Sequence, residues 1–326
     1  MNDWRPSSGP AIAARRAERL AAVRDFFARR DVLAVDVPAL SRAVISDPNI
    51  DSFAVRADIA GGDWLYLNTS PEYPMKRLLA AGYPDIYAIA RVFRDGEVGR
   101  RHEPEFTLIE WYRRGFDLAA IAAETCELIA TVLDDASLAE RAVSLRYRDA
   151  LETLSGRDPL TASVAELADF AAADADLRKA LGDDRDAWLD LLVATRLTPT
   201  FATDRLTVLT HYPASQAALA RLAPGDPDTA LRFEVFLGET ELANGYVELT
   251  DAGEQRRRFE SERAGRLASG RSTGPIDEAL LGALEHGLPD CAGVALGFER
   301  LHMLYEGVDD IADVITFSFG DDNDRD

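Results

Sequence analysis

Arg94, Arg100, Arg101 and His102 lie in one stretch, YAIARVFRDGEVGRRHEPEFTLIEWYRR, that also carries Glu97, Glu103, Glu105 and Glu110. Guanidinium groups present planar, paired donors, which suit a polyphosphate. Glu110 sits among Ile109, Trp111 and Tyr112, an apolar setting in which a carboxylate needs a positive or hydrogen-bonding partner. A ligand ammonium group would serve. The stretch therefore offers a grip for an anionic nucleotide and another for a cationic small molecule. Its pattern predicts two strands joined by a long charged loop, with Phe106, Leu108, Glu110 and Tyr112 on one face and Thr107, Ile109 and Trp111 on the other.

A second acidic group lies in RFEVFLGETELANGYVEL, residues 232–249. Gly238-Glu239 suits a two-residue hairpin turn. In that register Phe236 faces Glu241, and Glu234 and Glu241 become diagonal neighbours on one surface. Such carboxylates repel unless a cation lies between them, and Mg²⁺ bridging to a phosphate fits. Glu248 joins that face if a bulge falls at Asn244-Gly245. The alternative is a solvated acidic hairpin. A third segment, GVALGFERL from Gly293, alternates small and apolar residues before a helix that carries Arg300. Its missing side chains let a flat ring approach the backbone, within reach of an arginine. Read alone, it is equally a tightly packed core strand.

The elements that must position these groups follow from periodicity. An amphipathic helix is expected over 11–31, with Ile12, Leu20, Val23, Phe26 and Phe27 inward, then a strand over 32–37 that ends at Pro38. Further strands are expected at 64–68, 206–210, 231–237, 294–298 and near 314–319. Helices are expected after Pro74, and over 117–134, 250–268, 276–286 and 299–305. Residues 137–200 read as a mainly helical insertion. Strands in mixed order, without regular βαβ alternation, predict an α+β fold with a mainly antiparallel sheet flanked by helices. The expected organisation is a single catalytic domain over 1–326. No GxGxxG or GxxxxGK[ST] motif is present, so neither a Rossmann nor a P-loop site is expected.

Composition narrows the partners. The 326 residues carry 57 acidic and 36 basic side chains, a net charge of −21. Extended nucleic-acid binding normally needs a basic stripe, so this balance disfavours it. A small molecule or a basic protein is easier to accommodate. No apolar run reaches membrane-spanning length, and the N-terminus lacks the apolar core of a secretory signal. Two cysteines, Cys126 and Cys291, make no disulfide framework, which points to a reducing cytoplasm.

Taken together, the segments resemble the catalytic domain of class II aminoacyl-tRNA synthetases. Residues 11–38 look like motif 1, FRDGEVGRRHEPEF like motif 2 and GVALGFERL like motif 3. Ser70-Pro71-Glu72, Glu110-Trp111-Tyr112 and Glu241-Leu242-Ala243-Asn244-Gly245 are similar to the lysine-specific branch. HYPASQAAL at 211–219, ELANGYVELTDAGEQRRRFE at 241–260 and PDCAGVALG at 289–297 resemble its truncated paralogues, which ligate (R)-β-lysine to elongation factor P. The resemblance runs from about residue 11 to 320, and it rests on three motifs in order. The motif 1 helix begins almost at once, so no anticodon-binding OB domain is expected, nor tRNA as a partner.

The resemblance implies ATP and Mg²⁺ as cofactors and aminoacyl-adenylate chemistry. Arg94 and Arg300 would be the catalytic pair, on the α- and γ-phosphates. Glu97, His102, Glu241, Leu242 and Gly297 would complete the ATP site, and Glu234 with Glu241 would hold the metal. Ser70, Pro71, Glu72, Glu110, Tyr112, Glu248 and Ala295 would form the lysine or (R)-β-lysine pocket. Ala295 stands where the synthetases have glycine, which implies a reshaped pocket that favours the β-isomer. A homodimer through motif 1 is also implied. Two departures stand out. Arg94-Asp95-Gly96-Glu97 replaces Arg-Asn-Glu, and Glu103 replaces an asparagine. Two other functions remain open: charging a free amino acid or tRNA, or an inactive synthetase-like sensor.

Overall fold

The structure, a computed structural model, describes residues 4–58, 61 and 63–319. The acidic stretch 321–326 lies outside the described residues. The chain divides into two units, Met1–Phe116 with Thr131–Asp135 and Thr250–Asp326, and Asp117–Ala130 with Ala136–Leu249.

The first unit opens with α1 (Pro10–Ala28), β1 (Leu33–Ala34), β2 (Leu40–Ser41), β3 (Ala54–Arg56) and β4 (Trp64–Leu67). Then come α2 (Glu72–Ala80), β5 (Ile86–Phe93) and β6 (Glu105–Arg114). Val23, Phe26 and Phe27 form the buried stripe of α1, as the periodicity predicts. Phe27 stacks on Tyr87, with ring centroids 4.4 Å apart, and its centroid lies 5.5 Å from that of Trp111. That contact uses the Thr107–Ile109–Trp111 face of β6. The opposite face, with Glu110, is thereby turned away from α1. The strand expected over 32–37 shrinks to Leu33–Ala34, which pair parallel with Ile86 and Tyr87. Beyond it only the Val35 amide still donates to the Tyr87 carbonyl. Strands β5 and β6 pair antiparallel from Ile86↔Tyr112 to Phe93↔Glu105. A separate three-stranded sheet has the order β2-β4-β3.

The chain then runs through α3 (Leu118–Leu133) into the second unit. There it forms α4 (Ser137–Glu140), β7 (Val143–Arg146), α5 (Tyr147–Ser155), α6 (Val164–Phe170), α7 (Ala175–Leu181) and α8 (Arg185–Leu192). One turn of π-helix, Val193–Leu197, follows, and then β8 (Leu206–Pro213), β9 (Leu222–Ala223), β10 (Asp226–Leu237) and β11 (Thr240–Val247). The segment 137–200 is mostly helical, but β7 interrupts it by pairing parallel with β8. The helices are not a loose appendage. Trp188, Leu189, Leu192, Tyr147 and Leu151 pack into one buried cluster with Leu209 and Phe236 of the strands. Ser163 and Glu166 form a reciprocal capping box at the start of α6.

The chain returns to the first unit in α9 (Ala252–Ala268), α10 (Glu278–Gly287), β12 (Cys291–Gly297) and α11 (Phe298–Glu306). Strand β12 runs antiparallel to β6, from Cys291↔Arg114 to Gly297↔Leu108. The strand expected near 314–319 is absent. A 3-10 turn, Ile311–Val314, takes its place, because Ile311 and Val314 are buried against Met303 and leave only bends beyond. Among the described residues no helix is long and apolar enough to cross a membrane.

Phe27 joins α1 to the first unit's strands. Its replacement by alanine should cost about 3–5 kcal/mol, read from urea unfolding; a loss below about 1 kcal/mol would show that the ring contacts do not hold the helix.

Candidate active site

In the first unit, Glu110 is the centre of a closed polar cluster. It is 2% exposed. The Tyr112 hydroxyl donates to its Oε1 at 2.7 Å, and the Ser70 hydroxyl donates to its Oε2 at 2.7 Å. Two-residue alternation puts Tyr112 and Glu110 on one face of β6, and the Ser70 turn just before α2 closes over it. The Glu72 amide donates to the Ser70 oxygen at 3.0 Å, which holds the turn at the helix start. Register supplies the walls: Ala88 of β5 and Ala295 of β12 stand directly opposite Glu110 on either side. Small neighbours on both flanks leave room beside the carboxylate. Burial raises the Glu110 pKa to about 8, with Glu72 adding to the rise; Tyr112, Ser70 and Lys76 oppose it. Glu72 itself is paired with Lys76, Nζ to Oε1 at 2.6 Å, and lines a cavity of about 860 Å³ together with Ser70 and Thr69.

The loop between β5 and β6 carries Arg94, Glu97, His102 and Glu103. The Arg94 amide donates to the Pro104 carbonyl at 2.9 Å, and the Arg94 guanidinium lies 5.0 Å from the Phe106 ring centroid. Glu97 faces Arg94 at 3.5 Å, so the residue displaced by Asp95-Gly96 turns back onto the arginine. Gly96 makes that turn with a φ of 79°. Arg300 donates to His102 Nε2 at 2.7 Å and to the Arg101 carbonyl at 3.3 Å. An N–H donated to Nε2 requires the His102 proton to be on Nδ1. Arg300 is positioned from behind: its neighbour Glu299, 3% exposed, accepts from the Thr107 amide and from Arg16, both at 2.8 Å. Gly297 lies at the end of β12, where an added Cβ would meet nothing within 4 Å.

Glu103 is tied to the segment 318–319. It is 6% exposed and turned inward, and it accepts from the Ser318 hydroxyl and, at 3.1 Å, from the Phe319 amide. The loop is pegged elsewhere too. The Ile311 amide donates to the Arg100 carbonyl, and the Asp95 amide donates to the Asp51 carbonyl. Arg266 of α9 in turn holds the carbonyls of Asp47 and Ile50, at 2.9 and 3.0 Å, and the Asp51 carboxylate.

The acidic hairpin belongs to the second unit. It turns at Gly238 with a φ of 56°, and Phe236 is opposite Glu241. The bulge sits at Leu242, not at Asn244-Gly245: Val235 pairs with Ala243 and Phe236 with Glu241, so Leu242 is the extra residue. Glu234 is opposite Asn244, so continued alternation carries Glu248 to the face that Glu234 and Glu241 share. The effect expected of a bulge is therefore present, two residues earlier. Leu242 is buried at that kink. Glu234 accepts from Tyr212 and from Arg232, both at 2.6 Å. Alternation from Leu209, which is opposite Glu234, would turn Tyr212 away. The left-handed backbone of His211, φ 57°, restores it. Burial raises the Glu234 pKa to about 7 against the pull of Arg232, and Glu241 raises it further. Each Glu234 oxygen keeps a second lone pair, so the acidic pair fits a hard cation, although among the described residues no group of three or more ligands is assembled.

The expected residues thus divide between the units. Ser70, Pro71, Glu72, Arg94, Glu97, His102, Glu110, Tyr112, Ala295, Gly297 and Arg300 are in the first, and Glu234, Glu241, Leu242 and Glu248 are in the second. The sequence reading missed Lys76, Arg232 and Tyr212. A lysine four residues after Glu72 on a helix was the available signal for the first.

The sequence matches the family description "tRNA synthetases class II (D, K and N)" over residues 2–320. The chain belongs to this family. It is also similar to the elongation factor P–(R)-β-lysine ligase of Photorhabdus laumondii, 45% identical over 320 residues and 97% of each chain. The enzymes of the same name from Edwardsiella ictaluri and Sodalis glossinidius are 45% and 44% identical, over 98% and 97% of each chain. The antiparallel β5-β6-β12 pairing agrees with that membership.

Glu110 holds its proton more tightly when folded, near 8, than a free glutamate, near 4.5. A raised carboxylate contributes stability that is present in full below about pH 4.5 and lost as pH rises to about 8. Ligand-free Glu110→Gln should therefore gain thermal stability relative to wild type as pH rises from 5 to 8.5. A constant difference across that range would mean that Glu110 is ionised throughout.

Proposed function

We infer that this chain is an ATP-dependent ligase that activates (R)-β-lysine as an aminoacyl-adenylate and transfers it to a lysine side chain of elongation factor P. The observation that carries the reading is the end-to-end likeness to relatives of that name, at 44–45% identity over 97–98% of both chains. The Glu110 cluster agrees with it, since a buried carboxylate with a neighbouring second one calls for an ammonium ligand.

The substrate carboxylate attacks the α-phosphorus of ATP, and pyrophosphate leaves. The acceptor lysine, as a free amine, then attacks the acyl carbonyl, and AMP leaves as the new amide forms. No side-chain nucleophile is needed, so catalysis is positioning and charge stabilisation. Arg94 would leave Glu97 for the α-phosphate, which frees Glu97 for the adenine amine. Arg300, oriented by His102, would take the γ-phosphate, while Gly297 and Leu242 border the nucleotide. Ser70, Pro71 and Glu72 would receive one amino group of the substrate, and Glu110, Tyr112 and Glu248 the other. Ala295, opposite Glu110 in register, would set the shape of that end. Glu234 and Glu241 would hold Mg²⁺, which when bound neutralises phosphate charge.

The residues 1–326 would act as a single catalytic module, with 137–200 as its insertion. The net charge of −21 argues against tRNA as the acceptor. A homodimer through residues 11–38 fits the exposure of Leu33, 44%. A cytoplasmic location fits the acceptor.

Pyrophosphate exchange with ATP and each lysine isomer tests the reading. Exchange should be strongest with (R)-β-lysine, and purified elongation factor P should become acylated where tRNA does not. Arg94→Ala should lower exchange by about 10²–10³-fold. Ala295→Gly should move the isomer preference toward α-lysine by about 10–200-fold. A wild-type preference for α-lysine would overturn the isomer assignment, and no exchange with any isomer would overturn the ligase.

A further inference from the structure

Lys76 is a buried cation bonded to Glu72, and the reaction as written gives it no role. It is 2% exposed, one helical turn beyond Glu72, and its Nζ lies 2.6 Å from Glu72 Oε1. The Glu72 side chain keeps 12% exposure against 2% for Lys76. The carboxylate therefore faces the cavity and the ammonium stands behind it. Ser70 links the two acidic groups: its oxygen accepts from the Glu72 amide, and its hydroxyl donates to Glu110. Lys76 also acts on Glu110 directly, drawing its pKa down against burial and against Glu72. One unit thus holds two clustered carboxylates and one built-in ammonium.

We propose that Lys76 is a positioning residue for the amine substrate: its ammonium fixes one oxygen of Glu72 and leaves the second for the ligand. The proposal rests on the reading of this pocket as an amine site. Two carboxylates without an internal cation would repel, share a proton and lose a defined geometry. With Lys76 in place, Glu72 is a singly engaged carboxylate held by a helix turn, and a ligand amine needs only to complete it. A purely structural ion pair differs in a measurable way. A buried pair is often replaced as a whole by apolar groups without loss, whereas removal of one partner is damaging. The effect of Lys76 on the ligand should then pass mainly through Glu72, with a smaller part through Glu110.

The test is a double-mutant cycle of Lys76→Met and Glu72→Gln in the full chain, read by pyrophosphate exchange. K76M should raise KM for the amine substrate at least 10-fold, with KM for ATP changed less than 2-fold. In the E72Q background K76M should add less than 2-fold to the amine KM. Equal increases in both KM values, or an amine defect of K76M in the E72Q background as large as in wild type, would overturn the proposal. If K76M alone does not fold, E72Q and E72Q/K76M should still share one amine KM. A double variant that does not fold would overturn the proposal, because the fold would then need Lys76 whatever stands at position 72. Wild type inactive with every lysine isomer would sink the parent reading instead, and saturation of the amine site by direct binding would still distinguish the variants.

Discussion

A carboxylate that water scarcely reaches must find its counter-charge inside the protein or take up a proton. Glu110 is in that position, and most of the first unit's local architecture can be read as the answer. Tyr112 and Ser70 donate to its two oxygens, the small residues Ala88 and Ala295 keep its flanks open, and Lys76 supplies positive charge one residue further back through Glu72. The hydrogen bonds to Glu110 itself come from two hydroxyl groups. Burial accordingly holds the Glu110 proton above the usual carboxylate range. The helix α1 matters to this at a distance, because Phe27 against Trp111 fixes which face of β6 is turned to the pocket.

The loop between β5 and β6 obeys a second constraint. A long, charged hairpin loop has no core of its own, so it is ordered by neighbours. Glu103, Arg100 and Asp95 each make a bond to a segment far away in sequence: 318–319, Ile311 and Asp51. Arg94 and His102 are carried on that braced frame. Glu103 serves that frame through its bonds to Ser318 and Phe319.

Periodicity and residue chemistry made much of this legible before any coordinates. The alternation in β6 predicts the face of Glu110 and Tyr112, the apolar stripe of α1 predicts its burial, and the Gly238 turn predicts the partner of Glu241. Three things were not legible. The strand near 314–319 is lost because a short apolar pair, Ile311 and Val314, is satisfied by a turn against Met303. The position of the bulge depends on which of two neighbours packs inward, and Leu242 and Ala243 are both buried. Lys76 is hidden because a lysine in an ordinary helix reads as solvated, and only the carboxylate pattern around it makes burial tolerable.

Leu242 has a consequence of its own. Between Gly238 and Glu248 the strand carries one residue more than its partner, and that surplus decides which way every later side chain points. The chemistry of residue 242 is secondary to its lying outside the pairing. Because of that surplus, the seven steps from Glu241 to Glu248 count as six, and the two carboxylates share a side; the same residues paired without a bulge would turn them to opposite sides of the ribbon, while most exchanges of one apolar side chain for another at that point would leave the acidic face whole.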